Sequence, residues 1–298
     1  MDSESQLASP DNEFASAQDA GLGARDSNNM NSYHIVVCAG IVPDPLQTLE
    51  PITTPTGPAL KNEMMLPAVL DPWASHALYE AANLAAHAAG SKVWLVSAAP
   101  KAKLQQVMMN VAQKASFELI PIDAPANGFA DAHAVAAMLA EAIQSIPGFD
   151  RSRLLLFGGW ESASRGAGVT MQLVGERLGV IDQFQGVDQL MIQPDGSFEV
   201  LERIEGGRHL VSICQGPPAL VGWATGNLPE PKNNPQVGMA NMRTVMPALQ
   251  KAKPTVLPHD AVRYLSVTPP KQQRQTRIVK DRSADEIAAE LMEWMNQE

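Results

Sequence analysis

LLLFGGWESASRGAGVTMQLVGERLG, residues 154–179, decides the fold. It opens on the apolar run RLLLF (Arg153 to Phe157), passes through a loop of small residues, GGWESASRGAGVT (Gly158 to Thr170), and ends in VTMQLVGERLG, whose apolar residues recur at helical spacing. A short, unbroken apolar run bounded by glycine is the pattern of a strand buried on both faces, as in a parallel sheet. The stretch therefore predicts a strand, a loop and a helix, the repeating unit of an α/β fold.

Three runs upstream have the same character: HIVVCA (His34 to Ala39), KVWLVS (Lys92 to Ser97) and FELIPI (Phe117 to Ile122). Helical patterns separate them at Ala74 to Ala89, closed by Gly90, at Lys101 to Ala115, and at Asp131 to Ile146, which starts on an N-capping Asp. Regular alternation predicts a doubly wound, mostly parallel sheet in three layers, of the adenine-nucleotide-binding type. Its crevice would lie beyond the carboxyl ends of the strands.

After about residue 186 the pattern changes. GVDQLMIQ and SFEVLERIEGGRHLVSIC read as antiparallel strands turning at Gly206 and Gly207, appended to the main sheet. A Pro-, Asn- and Gly-rich passage from Gly226 to Gly238 leads to a basic segment and a last amphipathic helix near Ser283 to Asn296. Ser283 and Glu286 form a capping box, and Ile287, Leu291, Trp294 and Met295 can share a face. The expected organisation is an acidic, disordered tail over 1–33, an α/β domain over 34–225, and a partner-recognition loop and arm over 226–298.

Composition narrows the function. A net charge of -10 argues against binding a phosphate backbone, so nucleic acid is set aside. Two distant cysteines, Cys38 and Cys214, make neither a CxxC pair nor a disulfide framework, and six histidines fall into no HxH or HxxxH spacing, so no metal site is expected. No apolar run approaches the roughly 20 residues of a membrane span. Without a signal segment the expected location is the cytoplasm.

Two passages could carry chemistry. The loop Gly158 to Thr170 could seat a phosphate on its amides at a helix start, although it is neither a Walker A loop nor GxGxxG, and its glycines also suit an ordinary turn. In LDPWASHALYEAANLA, Asp71 and Pro72 could cap a helix, and Trp73 could cover a base or pack in the core. His209, on the hairpin, reads as solvated or paired.

In order along the chain, VVCAGIVPD, LDPWASHALYEAANLA, VWLVSAAP, LLLFGGWESASRGAGVTMQLVGERLGV, EVLERIEGGRHLVSICQGPPALVG, NLPEPKNNPQVGMANMRTVM and LSVTPPKQQR resemble the beta (small) subunit of electron transfer flavoproteins over roughly residues 34–280. The resemblance implies a heterodimer that relays electrons from a flavin-dependent dehydrogenase to a later acceptor. Its alpha subunit would hold most of an FAD, and this chain would bury AMP, a second FAD or nothing. It places nucleotide contacts on Cys38, Asp71, Pro72, Trp73, Ala98, Ser164, Arg165, Gly166, Ala167, Gly168, Val169, Thr170 and Gln172. The family's acidic loop motif is here Ser164, Arg165 and Gly166, its asparagine before proline is Asp71, and its Gln-Thr-Gly is Val169, Thr170 and Met171. Met239, Met242 and Met246, spaced near one helical turn, coincide with the family's apolar anchor for its dehydrogenase; the same stripe also suits a core. The other functions open to such a fold are a nucleotide-binding hydrolase or transferase and a purely structural nucleotide-binding subunit.

Overall fold

The computed structural model describes residues 32–55, 57–257, 262, 264–268, 276 and 278–296. Along the chain run β1 (His34–Cys38), β2 (Ile41–Pro43), β3 (Pro51–Thr54), β4 (Gly57–Leu60), β5 (Ala68–Leu70), α1 (Pro72–His87), β6 (Lys92–Ala99), α2 (Lys101–Val111), β7 (Glu118–Asp123) and α3 (Ala132–Gln144). After them come β8 (Leu154–Gly159), α4 (Thr170–Arg177), β9 (Asp182–Ile192), β10 (Phe198–Ile204), β11 (Arg208–Cys214), β12 (Ala219–Trp223), α5 (Pro235–Lys251) and α6 (Ala284–Met295).

Eight strands form one sheet in the order β11-β10-β9-β12-β8-β1-β6-β7. From β12 to β7 every pairing is parallel. Every residue of β1 is buried, and alternation sends Ile35 and Val37 into a core cluster with α1 and α2, Val36 and Cys38 into one with α3 and α4. This is the three-layer α/β architecture the sequence predicts.

The hairpin is continuous with this sheet. β9 runs parallel to β12 in its first half and antiparallel to β10 in its second, so one long strand joins both regimes. The β10–β11 turn uses Gly206 (φ 72°) and Gly207 (φ 69°), a geometry that costs glycine least. β11 is an outer edge and leaves Leu210, Val211 and Ile213 more than half exposed.

Ends of the expected elements shift in instructive ways. Ser32 and Tyr33, read as tail, belong to the fold: Tyr33 is buried against Phe198, and Ser32 accepts from Arg153. Residues 1–31 lie outside the described residues. α5 occupies the passage expected to be a recognition loop and packs on α2 and β7, burying Gly238, Asn241, Val245 and Leu249. The buried Asn241 amide donates to Ala112 O (2.7 Å) and Ala115 O (2.6 Å), satisfying two carbonyls of the turn that follows α2. α6 carries the expected capping box but buries none of its residues.

Candidate functional site

The strand order reverses at β1, whose neighbours β8 and β6 come from later in the chain on either side. A crevice opens at such a switch point because the connections leave in opposite directions. Here Cys38, Ala98 and Gly159, at the ends of β1, β6 and β8, contribute to a cleft that is open to solvent. One wall is the loop 160–169 after β8, the other the loop 124–131 before α3. Gly159 lets the sheet meet α1: a methyl group there would lie 2.6 Å from Trp73 Cβ.

Asp71 caps α1 and ties three segments together. Its Oδ1 accepts from Trp73 N (3.2 Å), its Oδ2 from Ala163 N in the cleft wall (2.9 Å), and its own N–H donates to Gly40 O (2.9 Å). Burial, working against those hydrogen bonds, holds the carboxyl above its ordinary range. Both oxygens are thus engaged by the protein's own backbone, which makes Asp71 a fastening for the site's walls.

The loop after β8 has two left-handed glycines, Gly166 (φ 61°) and Gly168 (φ 63°). Arg165 leans out of it, donating through Nη1 to Ala130 O (2.6 Å) on the opposite wall and through Nη2 to Thr170 Oγ1 (3.3 Å) at the start of α4. It is the one cation among the described residues lining the cleft, and none of them offers it a carboxylate partner.

Of the residues singled out in sequence, Cys38, Asp71, Ala98, Ser164, Arg165 and Thr170 line the cleft, and Ala167, Gly168 and Val169 line a smaller adjoining cavity. Pro72, Trp73, Gly166 and Gln172 line neither; Gln172 Oε1 is buried without a hydrogen bond among the described residues. Sequence reading missed Ala126, Asn127, Val135 and Leu139, because nothing local in the β7–α3 connection shows that it faces the loop 160–169.

Chemically the site is a slot floored by small apolar groups, lined by the hydroxyl residues Ser162, Ser164 and Thr170, the Arg165 guanidinium and two carboxylates, Asp71 and Glu161. A flat heteroaromatic base suits the slot and a phosphate suits the rim. Cys38 supplies no nucleophile, because burial pushes its thiol up to about 12. His209 is paired: its Nε2 lies 2.9 Å from Asp188 Oδ2, on a carboxylate that Arg203 also grips with two hydrogen bonds.

On the far side, the methionine stripe divides. Met239 is 65% exposed, whereas Met242 and Met246 are partly buried against the core. On α6, Leu291, Trp294 and Met295 are at least half exposed. No helix among the described residues is long and apolar enough to cross a membrane.

A family model described as the electron transfer flavoprotein domain matches residues 62–254. A comparison with curated proteins finds no match.

Proposed function

Since the chain belongs to the electron transfer flavoprotein family, we propose that it is the beta-type subunit of a heterodimer that passes electrons from a flavin-dependent dehydrogenase to a later acceptor. The observation that carries this reading is the cleft at the β1/β8 switch point, with an apolar slot beside a guanidinium and hydroxyl rim. Those residues fit an adenosine phosphate: the base against Cys38, Ala39 and Ala98, the phosphate toward Ser164, Arg165 and Thr170. An FAD shared with an alpha-type subunit supplies the electron chemistry when bound.

This chain's residues then act as scaffold and docking surface. Asp71 fixes the cleft wall to α1, and the exposed face of α6 offers the alpha-type subunit an apolar contact that the described residues do not cover. Met239 projects from the first turns of α5 as an adaptable apolar contact for the dehydrogenase.

Co-expression with the alpha-type subunit of the same source tests the reading. The expected result is a 1:1 complex with a flavin absorption band, lost in a Leu291→Glu, Trp294→Glu double variant whose own melting temperature is unchanged. Stoichiometric FAD in a monodisperse preparation of this chain alone would overturn it.

A further inference from the structure

β11 ends the eight-stranded sheet on one side, and its outer edge meets no strand among the described residues. On the other side the chain covers the end of β7 with itself, where Thr255 N donates to Asp123 O (2.7 Å) and Pro254 bridges to Asp123. Folded proteins protect a free edge with proline, lysine or a bulge, because its open N–H and C=O groups are a template for another strand. β11, RHLVSIC, has none of these: it pairs with β10 in one unbroken register and leaves Leu210, Val211 and Ile213 more than half exposed. Its two ends differ in charge. Arg208 is exposed at the start, and at the finish the exposed Asp182 carboxylate lies 3.7 Å from Cys214 Sγ. Neither charge has an ion-pair partner among the described residues.

We infer that β11 is a self-pairing edge: two copies of this chain, made without an alpha-type subunit, join antiparallel about a two-fold axis through Val211 and continue one sheet into the other. Alternate residues of an outer strand turn their N–H and C=O groups outward, so two copies bond only where outward residues face outward residues. An axis through the middle residue of β11 meets that condition along the whole strand. It sets Arg208 opposite Cys214 of the second copy, His209 opposite Ile213, Leu210 opposite Ser212, and Val211 opposite itself. The same operation brings Arg208 of each copy to the strand end where the other copy's Asp182 lies, so each solitary charge gains a partner of opposite sign. The exposed apolar residues cover one another, and because the two-fold uses both free edges the assembly stops at two. This contact stands apart from the nucleotide reading of the cleft.

Analytical ultracentrifugation of the full chain by itself is the test. The expected result is a concentration-dependent dimer whose β11 amides exchange more slowly at high protein concentration than at low. Val211→Lys, at an exposed position, sets a lysine against its own copy on the axis and should weaken the dimer by about tenfold or more with the melting temperature of the monomer unchanged. Arg208→Glu and Asp182→Arg should each weaken it, and the two together should restore it, a rescue that a merely damaged fold would not give. The Leu291→Glu, Trp294→Glu double variant on α6 should leave the dimer intact. A monomer at every concentration would overturn the inference and leave the edge to the chain's remaining residues or to a strand of the alpha-type subunit. A dimer that survives Val211→Lys, or one that the α6 variant abolishes, would place the contact elsewhere and overturn it too. So would a double charge swap that stays monomeric, since Arg208 and Asp182 would then not meet.

Discussion

Asp71 Oδ2 accepts the Ala163 N–H at 2.9 Å, joining the first turn of α1 to a loop 92 residues further along the chain. Removing the whole carboxylate leaves two backbone donors, of Trp73 on Oδ1 and of Ala163 on Oδ2, without their acceptors. Asp71→Ala is expected to cost about 2 kcal/mol by loss of a cap and of a buried hydrogen-bond acceptor. Asp71→Asn keeps one acceptor and should cost less. Burial raises the carboxyl above its unfolded value of about 3.9, so folding takes up a proton there. That contribution is complete below the unfolded value and is lost as pH rises through the higher folded one. Denaturant titrations should therefore show the gap between wild type and Asp71→Asn narrowing as pH rises across that window; a gap that widens would contradict a carboxyl on which burial outweighs the hydrogen bonds it accepts.

The divided methionine stripe makes a second expectation. Met246→Glu places a charge against the core and should lower stability by about 2–4 kcal/mol, and Met242→Glu should act in the same direction. Met239→Glu, at an exposed position, should stay within about 0.5 kcal/mol of wild type and slow reduction by the dehydrogenase severalfold. Asn241→Leu provides the structural control: it strands Ala112 O and Ala115 O and should cost about 1–3 kcal/mol with no kinetic defect in the surviving folded fraction. Thermal melts read beside stopped-flow reduction separate the three cases.

The two loop glycines should respond unequally. Gly166 has a left-handed φ but open space around a new methyl, so Gly166→Ala should cost about 1 kcal/mol from backbone strain alone. At Gly168 the same strain is joined by a contact of 2.9 Å with Trp160 O, a backbone atom that must move. Gly168→Ala should cost roughly twice as much or more. Equal losses in urea titrations would mean that the loop relaxes freely and does not hold the shape of the wall.

Much of the fold was legible in the sequence because its signals are local. Leu154 to Phe157 is a strand in any chain that can bury it on both faces, and Asp131 and Ser283 cap their helices with groups two or three residues away. β12 carries no such distinction. ALVGW is assigned no element from the sequence, and only its parallel pairing with both β8 and β9 makes it an interior strand.

The candidate site divides along the same line. Sequence alone determined that a glycine-bearing loop follows a buried strand and precedes a helix, since residue type and spacing suffice for that. What each side chain does there was decided by contacts between distant segments: Arg165 reaches Ala130 across 35 residues, and Asp71 accepts from Ala163 in the loop after β8 as well as from Trp73 in its own helix. The methionines show the physical reason most directly. Met239, Met242 and Met246 share a helical spacing, yet the side of α5 that the fold buries, marked by Gly238, Asn241, Val245 and Leu249, lies nearer Met242 and Met246, which pack against the core, than Met239, which stays exposed. Spacing fixes which side of a helix a residue occupies; only the contacts of the folded chain fix which side is buried.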